Sequence, residues 1–161
     1  MGVSGSGKST FGMAIASALR LPFVDGDELH SPESISKMRR GIPLRDEDRK
    51  PWLDAIAAKL ADTRLYSDGI IVACSALKLD YRNRLRSAAR VRFIFLNADE
   101  ALATHRLSER AHHFMPQSLI ESQFHDLERP TAAEADVLTV PASMPLEAAV
   151  AAALAYLCRA H

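Results

Sequence analysis

Two cysteines, Cys74 and Cys158, are all that 161 residues hold, which excludes a disulfide-stapled scaffold. No apolar run approaches the length a bilayer requires; Gly69–Ser75 and the Ala-rich Ala148–Leu157 both stop well short. The first residues are Gly and Ser rather than apolar, unlike a secretory leader. Neither sign of charge is in excess, with 20 basic and 20 acidic residues, which argues against a nucleic-acid or membrane-surface partner. Repeats, low-complexity segments and linkers are missing too, so residues 1–161 read as one domain. No Asn-Lys-x-Asp stretch is present to read guanine, which disfavours a regulatory GTPase. The apolar share of 48% and the charged share of 25% are those of an ordinary folded domain, and the expected compartment is the cytoplasm.

Hydrophobic periodicity orders the chain. Phe11, Ala14, Ile15, Ala18 and Leu19 recur at helical spacing. Pro22–Val24 reads as a short strand ending at Asp25-Gly26-Asp27, and a short helix followed by a loop is expected over 30–45. Leu53, Ile56, Ala57, Leu60, Ala61 and Leu65 predict a second amphipathic helix, with Asp46 and Asp48 favouring its positive end. Gly69–Cys74 is a continuous apolar run, as expected of a strand covered on both faces. Further helices are expected around 79–87, 99–110, 118–127 and 146–157, and strands at 91–96 and 137–140. Strands alternating with helices imply an α/β fold, a parallel sheet with helices on both faces.

Gly2-Val3-Ser4-Gly5-Ser6-Gly7-Lys8-Ser9 fits G-x-x-x-x-G-K-S, and a periodic helix begins where that motif requires one. The glycines let the backbone curl so that several amides point at one phosphate group. Lys8 would reach the β- and γ-phosphates of ATP, the Ser9 hydroxyl would ligate Mg²⁺, and the helix dipole adds to anion binding. The competing reading is a loose Gly/Ser terminus. One requirement goes unmet: such a loop follows a buried strand, and no apolar strand precedes Gly2 in this sequence. A sheet with its first strand absent is therefore expected, with reduced stability around the loop.

Asp25 and Asp27 stand at a strand's carboxyl end, where parallel sheets bind ligands. One carboxylate there can help hold hydrated Mg²⁺ while the other orients or deprotonates an acceptor hydroxyl; the alternative is a plain Asp-Gly turn. Basic residues cluster at Lys37–Lys50, at Lys78–Arg86 and at Arg106 with Arg110, just before His112-His113-Phe114. Such runs are commonly solvated faces, but arginines flanking a polar segment suit a lid that neutralises transferring phosphate. No Cys or carboxylate spacing supports a metal site at the two histidines.

Longer blocks are more specific than the phosphate loop: Lys37-Met38 with Gly41–Leu44, Asp48-Arg49 with Pro51-Trp52-Leu53, Cys74–Lys78 with Tyr81-Arg82, and Ser122-Gln123-Phe124 with Leu127-Glu128 and Pro130. In these the chain resembles the bacterial-type gluconokinases, P-loop small-molecule kinases related to shikimate and adenylylsulfate kinases. The resemblance implies a nucleoside-monophosphate-kinase-like fold, with a substrate segment near 28–50 and a lid near 106–117. It implies transfer from ATP, with Mg²⁺, to the 6-hydroxyl of D-gluconate, and a homodimer. By it, Gly2, Val3, Ser4, Gly5, Ser6, Gly7, Lys8, Ser9 and Thr10 hold ATP, with Arg106 and Arg110 as lid arginines. Ser9 and Asp25 face the metal. Lys8, Asp27 and Arg110 are the catalytic candidates, and Asp27, His30, Lys37, Arg49, Lys78 and Arg82 the substrate-binding ones. The rivals are a related kinase with another acceptor and a nucleotide-binding protein without catalysis.

Overall fold

The computed structural model describes residues 1–62, 68–109 and 117–159. Its elements run α1 (Lys8–Leu19), β1 (Phe23–Asp25), a 3-10 turn (Gly26–Leu29), α2 (Pro32–Arg39), α3 (Asp46–Ala61) and β2 (Ile71–Ala73). Then follow α4 (Leu79–Ala88), β3 (Phe93–Asn97), α5 (Glu100–Ser108), α6 (Gln117–Asp126), β4 (Val137–Pro141) and α7 (Leu146–Cys158). Helices and strands fall where periodicity predicts them, apart from the turn after β1. There the Asp25 side chain accepts from the Asp27 N–H and caps a 3-10 turn.

All pairing is parallel, but in two separate pairs. β1 lies against β2 with Phe23 opposite Ile71, and β3 against β4 with Phe93 opposite Val137. The sequence reading expects a parallel sheet with its first strand absent, and the pairing is interrupted between β2 and β3. Among the described residues, the first ones of the chain bridge the gap. The Met1 amino group donates to the Ile94 carbonyl at 2.6 Å, the Leu96 N–H donates to the Met1 carbonyl at 2.9 Å, and the Gly2 N–H donates to Ser75 O at 3.1 Å. The contacts of Met1 with β3 follow the parallel pattern. Behind this bridge runs an apolar groove of about 610 Å³, lined by Phe11, Ile15, Ile56, Val72, Phe93 and Ile94 among others.

Two cores sandwich the strands. α1 and α7 pack together on one face, with Phe11, Ile15, Leu96, Val140 and Ala153 buried between them and the sheet. α3 and α4 pack on the other, around Trp52, Ile56, Tyr81, Leu85 and Phe93. Val3, 1% exposed, anchors the Gly-rich loop in the first core. Close approach demands glycine at two site positions. A Cβ on Gly26 would meet the Ala73 carbonyl at 2.7 Å, and one on Gly5, at φ +79°, would meet the Ala103 carbonyl at 2.4 Å.

Candidate active site

The Gly-rich loop leads straight into α1, whose first turn carries no acidic residue, so its exposed amides and positive end are available to an anion. Lys8 arches back over the loop, its Nζ donating to the Val3 carbonyl at 2.9 Å. Next to it in the first turn of the helix, Ser9 Oγ donates to the Asp25 carboxylate at 2.6 Å. A hydroxyl and a carboxylate so placed suit Mg²⁺, a hard ion that takes few protein oxygens and keeps most of its waters. Arg106, from α5, donates to Ser6 O at 3.1 Å and Ala142 O at 2.8 Å, tying the loop to the segment after β4. Thr10 is exposed, while Gly2, Val3 and Ser6 are buried beneath the loop.

Opposite the loop stands the turn after β1. Trp52, from α3 and 2% exposed, donates its indole N–H to the Gly26 carbonyl at 2.7 Å and stacks on His30 with ring centroids 4.7 Å apart. One side chain thus sets both flanks of Asp27. Burial pushes the His30 pKa down, against the opposite pull of Asp27, so the ring is neutral at pH 7. Its Nδ1 is buried without a partner among the described residues.

Arg49, buried on α3, donates to Tyr81 at 3.1 Å and to Asp126 at 2.7 Å. Burial works against its charge, but these two bonds and the field of Asp126 more than offset it and raise its pKa. Lys78 binds Asp46 at 2.8 Å, and Tyr81 donates a short hydrogen bond to the same carboxylate. Lys78 first and Tyr81 second hold Asp46 below the usual carboxylate range. Lys37 is paired with Asp48 at 2.6 Å.

One cavity of about 500 Å³ joins the two halves. Ser4, Gly5, Gly7, Lys8 and Ser9 line it on the loop side; Asp27, His30 and Arg49 line it on the other. Lys37, Lys78 and Arg106 stand outside that lining. Arg82 does too, and its placement differs most from the expected one. It is 2% exposed, its guanidinium gripping both oxygens of Glu134 at 2.6 and 2.7 Å while Nη1 reaches the carbonyls of Ala76, Leu77 and Glu128. Ala76 has φ +41°, an uncommon backbone state outside glycine, so Arg82 braces a strained loop. Arg110 and most of the expected lid, residues 110–116, lie outside the described residues. Trp52 and Gln123, both in the cavity wall, have no role in the sequence reading beyond their place in longer blocks. The lone tryptophan in the chain was the available signal for the first.

The shikimate kinase family model matches residues 4–155, from the phosphate loop to the last helix. The thermoresistant gluconokinase of Escherichia coli is 44% identical over 96% of this chain and 89% of its own length. The chain belongs to the gluconokinases, within the shikimate kinase family. The thermosensitive gluconokinase of Escherichia coli is 43% identical over 87% of the chain and 75% of its own length. The crystal structure of a gluconokinase from Sinorhizobium meliloti 1021 superposes with a TM-score of 0.89 at 47% identity, covering 99% of this chain and 89% of that one. The chain is thus a P-loop kinase in fold as well as in sequence.

Proposed function

We propose that the protein transfers the γ-phosphoryl group of ATP to the 6-hydroxyl of D-gluconate, releasing ADP and 6-phosphogluconate. The observation that carries this is the single cavity in which the phosphate loop faces Asp27, His30 and Arg49, in a chain of the gluconokinase family. Loop amides and Lys8 hold and neutralise the phosphates. Ser9 and Asp25 would hold Mg²⁺, which would offset charge on the phosphate oxygens. Asp27 accepts the hydroxyl proton, or its hydrogen bond, and aims the oxygen at phosphorus. Neutral His30 offers a hydrogen bond to an acceptor hydroxyl. The forked guanidinium of Arg49 suits the gluconate carboxylate. Arg106 steadies the loop.

In this reading Lys37 and Lys78 order Asp48 and Asp46 near the acceptor side through their ion pairs, while Arg82 acts through the loop it braces. The family resemblance supports a homodimer, and the sequence reading places the protein in the cytoplasm. No helix among the described residues is long and apolar enough to cross a membrane. A coupled assay with ATP, Mg²⁺ and D-gluconate, with shikimate and other sugar acids as controls, tests the function. Gluconate-selective turnover is expected. Selective turnover of shikimate, which the family model favours as a second reading, would replace the acceptor; none on any acid would point to nucleotide binding without catalysis.

A further inference from the structure

Ser122-Gln123-Phe124 and the acidic residues after it have no place in the chemistry above, yet they touch both halves of the site. The Gln123 side chain makes two hydrogen bonds to one residue of the phosphate loop. Its Oε1 accepts from the Ser4 backbone N–H at 2.7 Å and its Nε2 donates to Ser4 Oγ at 3.0 Å. A carboxamide both accepts and donates through adjacent atoms, as this clamp requires. Ser4 sits in the middle of the Gly-rich loop, so the clamp fixes which backbone amides remain turned toward the phosphates. Asp126 lies three residues on, on the same side of α6, and holds Arg49 at 2.7 Å. Just past the helix, the Glu128 carboxylate accepts from the Leu79 N–H at 2.6 Å and its backbone N–H donates to Leu77 O at 3.0 Å. The helix is thus pinned to the acceptor side at its carboxyl end and grips the phosphate loop one turn earlier.

We propose that Gln123 is a positioning residue for the phosphate loop, and that the Asp126–Arg49 pair acts on nucleotide binding through it. α6 makes the loop's readiness for ATP depend on the state of Arg49 across the cavity. This rests on the loop binding ATP but not on the acceptor being gluconate, because both ends are read in nucleotide binding alone.

The test is a double-mutant cycle in the full chain, using calorimetric titration with a non-hydrolysable ATP analogue and Mg²⁺. Gln123→Met keeps the length and packing of the side chain and removes both bonds; it is expected to weaken the analogue about tenfold, as two modest hydrogen bonds allow. Asp126→Asn, across the cavity from the loop, is expected to weaken it about threefold. The double variant is expected to bind no more weakly than Gln123→Met, since the Asp126 effect passes through Gln123. Thermal melting of each variant separates positioning from simple stapling. Unchanged analogue affinity in Gln123→Met, whether or not its melting temperature falls, would overturn the proposal. So would Asp126→Asn with wild-type affinity, or fully additive losses in the double variant. Failure of gluconate turnover would show in the kinase assay and leave this cycle readable.

Discussion

In the proposed reaction, Asp27 is the residue on which phosphoryl transfer turns. Its carboxylate is exposed to the cavity, its backbone is fixed by Asp25, and its neighbours are positioned by Trp52. Asp27→Asn preserves size and hydrogen-bonding reach but removes the proton acceptor. It is expected to leave the ATP KM near wild type and to lower kcat by about a hundredfold or more, the usual scale for a general base. Steady-state kinetics with both substrates varied would check this; near-normal kcat would remove Asp27 from the role of base or orienter. His30 illustrates the same scale of control. Without the indole of Trp52 against its ring, nothing among its described contacts would hold an imidazole flat beside Asp27.

At the scale of elements, α4 carries its function through Arg82, which ties the β2–α4 loop to the segment before β4. Glu134, 8% exposed, receives both Arg82 and Arg86. Losing Arg82 would leave Glu134 with Arg86 alone and take the donor from the carbonyls of Ala76, Leu77 and Glu128, and a buried polar group left unsatisfied costs about 1–3 kcal/mol. Arg82→Met is therefore expected to lower the melting temperature sharply. A substrate-gripping arginine would instead raise the gluconate KM at unchanged stability, so thermal melting beside kinetics distinguishes the two. The same pair predicts acid sensitivity. Arg82 first, then Arg86, pulls the Glu134 pKa from the usual 4.5 to about 2. Because the folded value lies below the unfolded one, the unfolded chain takes up this proton first as pH falls. The stability it contributes is full above about pH 4.5 and is lost as pH drops toward 2. Denaturation midpoints measured across that window should fall more steeply in wild type than in Arg82→Met.

At the scale of the whole molecule, the two strand pairs are separated between β2 and β3. Edge N–H and C=O groups of the inner strands border an apolar groove of about 610 Å³ that side chains from both cores line. Burying such surface is worth about 25 cal/mol per Å², and the ladder would satisfy polar groups that otherwise rely on water. Met1 already pairs with β3 in parallel register, so a strand joined ahead of it would run directly into the groove. Fusing five or six alternating β-branched and aromatic residues to Met1 is expected to raise the melting temperature by several degrees, while a Gly/Ser fusion of equal length should not. Equal behaviour of the two fusions would show that the groove does not accept a strand.

Much of this was legible in the sequence because the signals are local. Apolar spacing marked the helices, β-rich runs marked the strands, and G-x-x-x-x-G-K-S marked the loop along with the roles offered to Lys8 and Ser9. The Asp25–Ser9 pairing was open to inference because both belong to short-range patterns that a parallel fold brings to one sheet edge. What sequence could not decide was the partner of each long side chain. Arg49 and Arg82 are both buried arginines in specific blocks, yet one lines the cavity and the other braces a loop against Glu134, 52 residues away. A guanidinium reaches far enough to serve several neighbours, and which neighbour it meets depends on how α3, α4 and α6 pack. Periodicity fixes the face a residue occupies on its own helix; only the tertiary arrangement decides what stands opposite that face. For the same reason Gln123, polar and unremarked on its helix, acquired a partner in Ser4 only when the chain closed on itself.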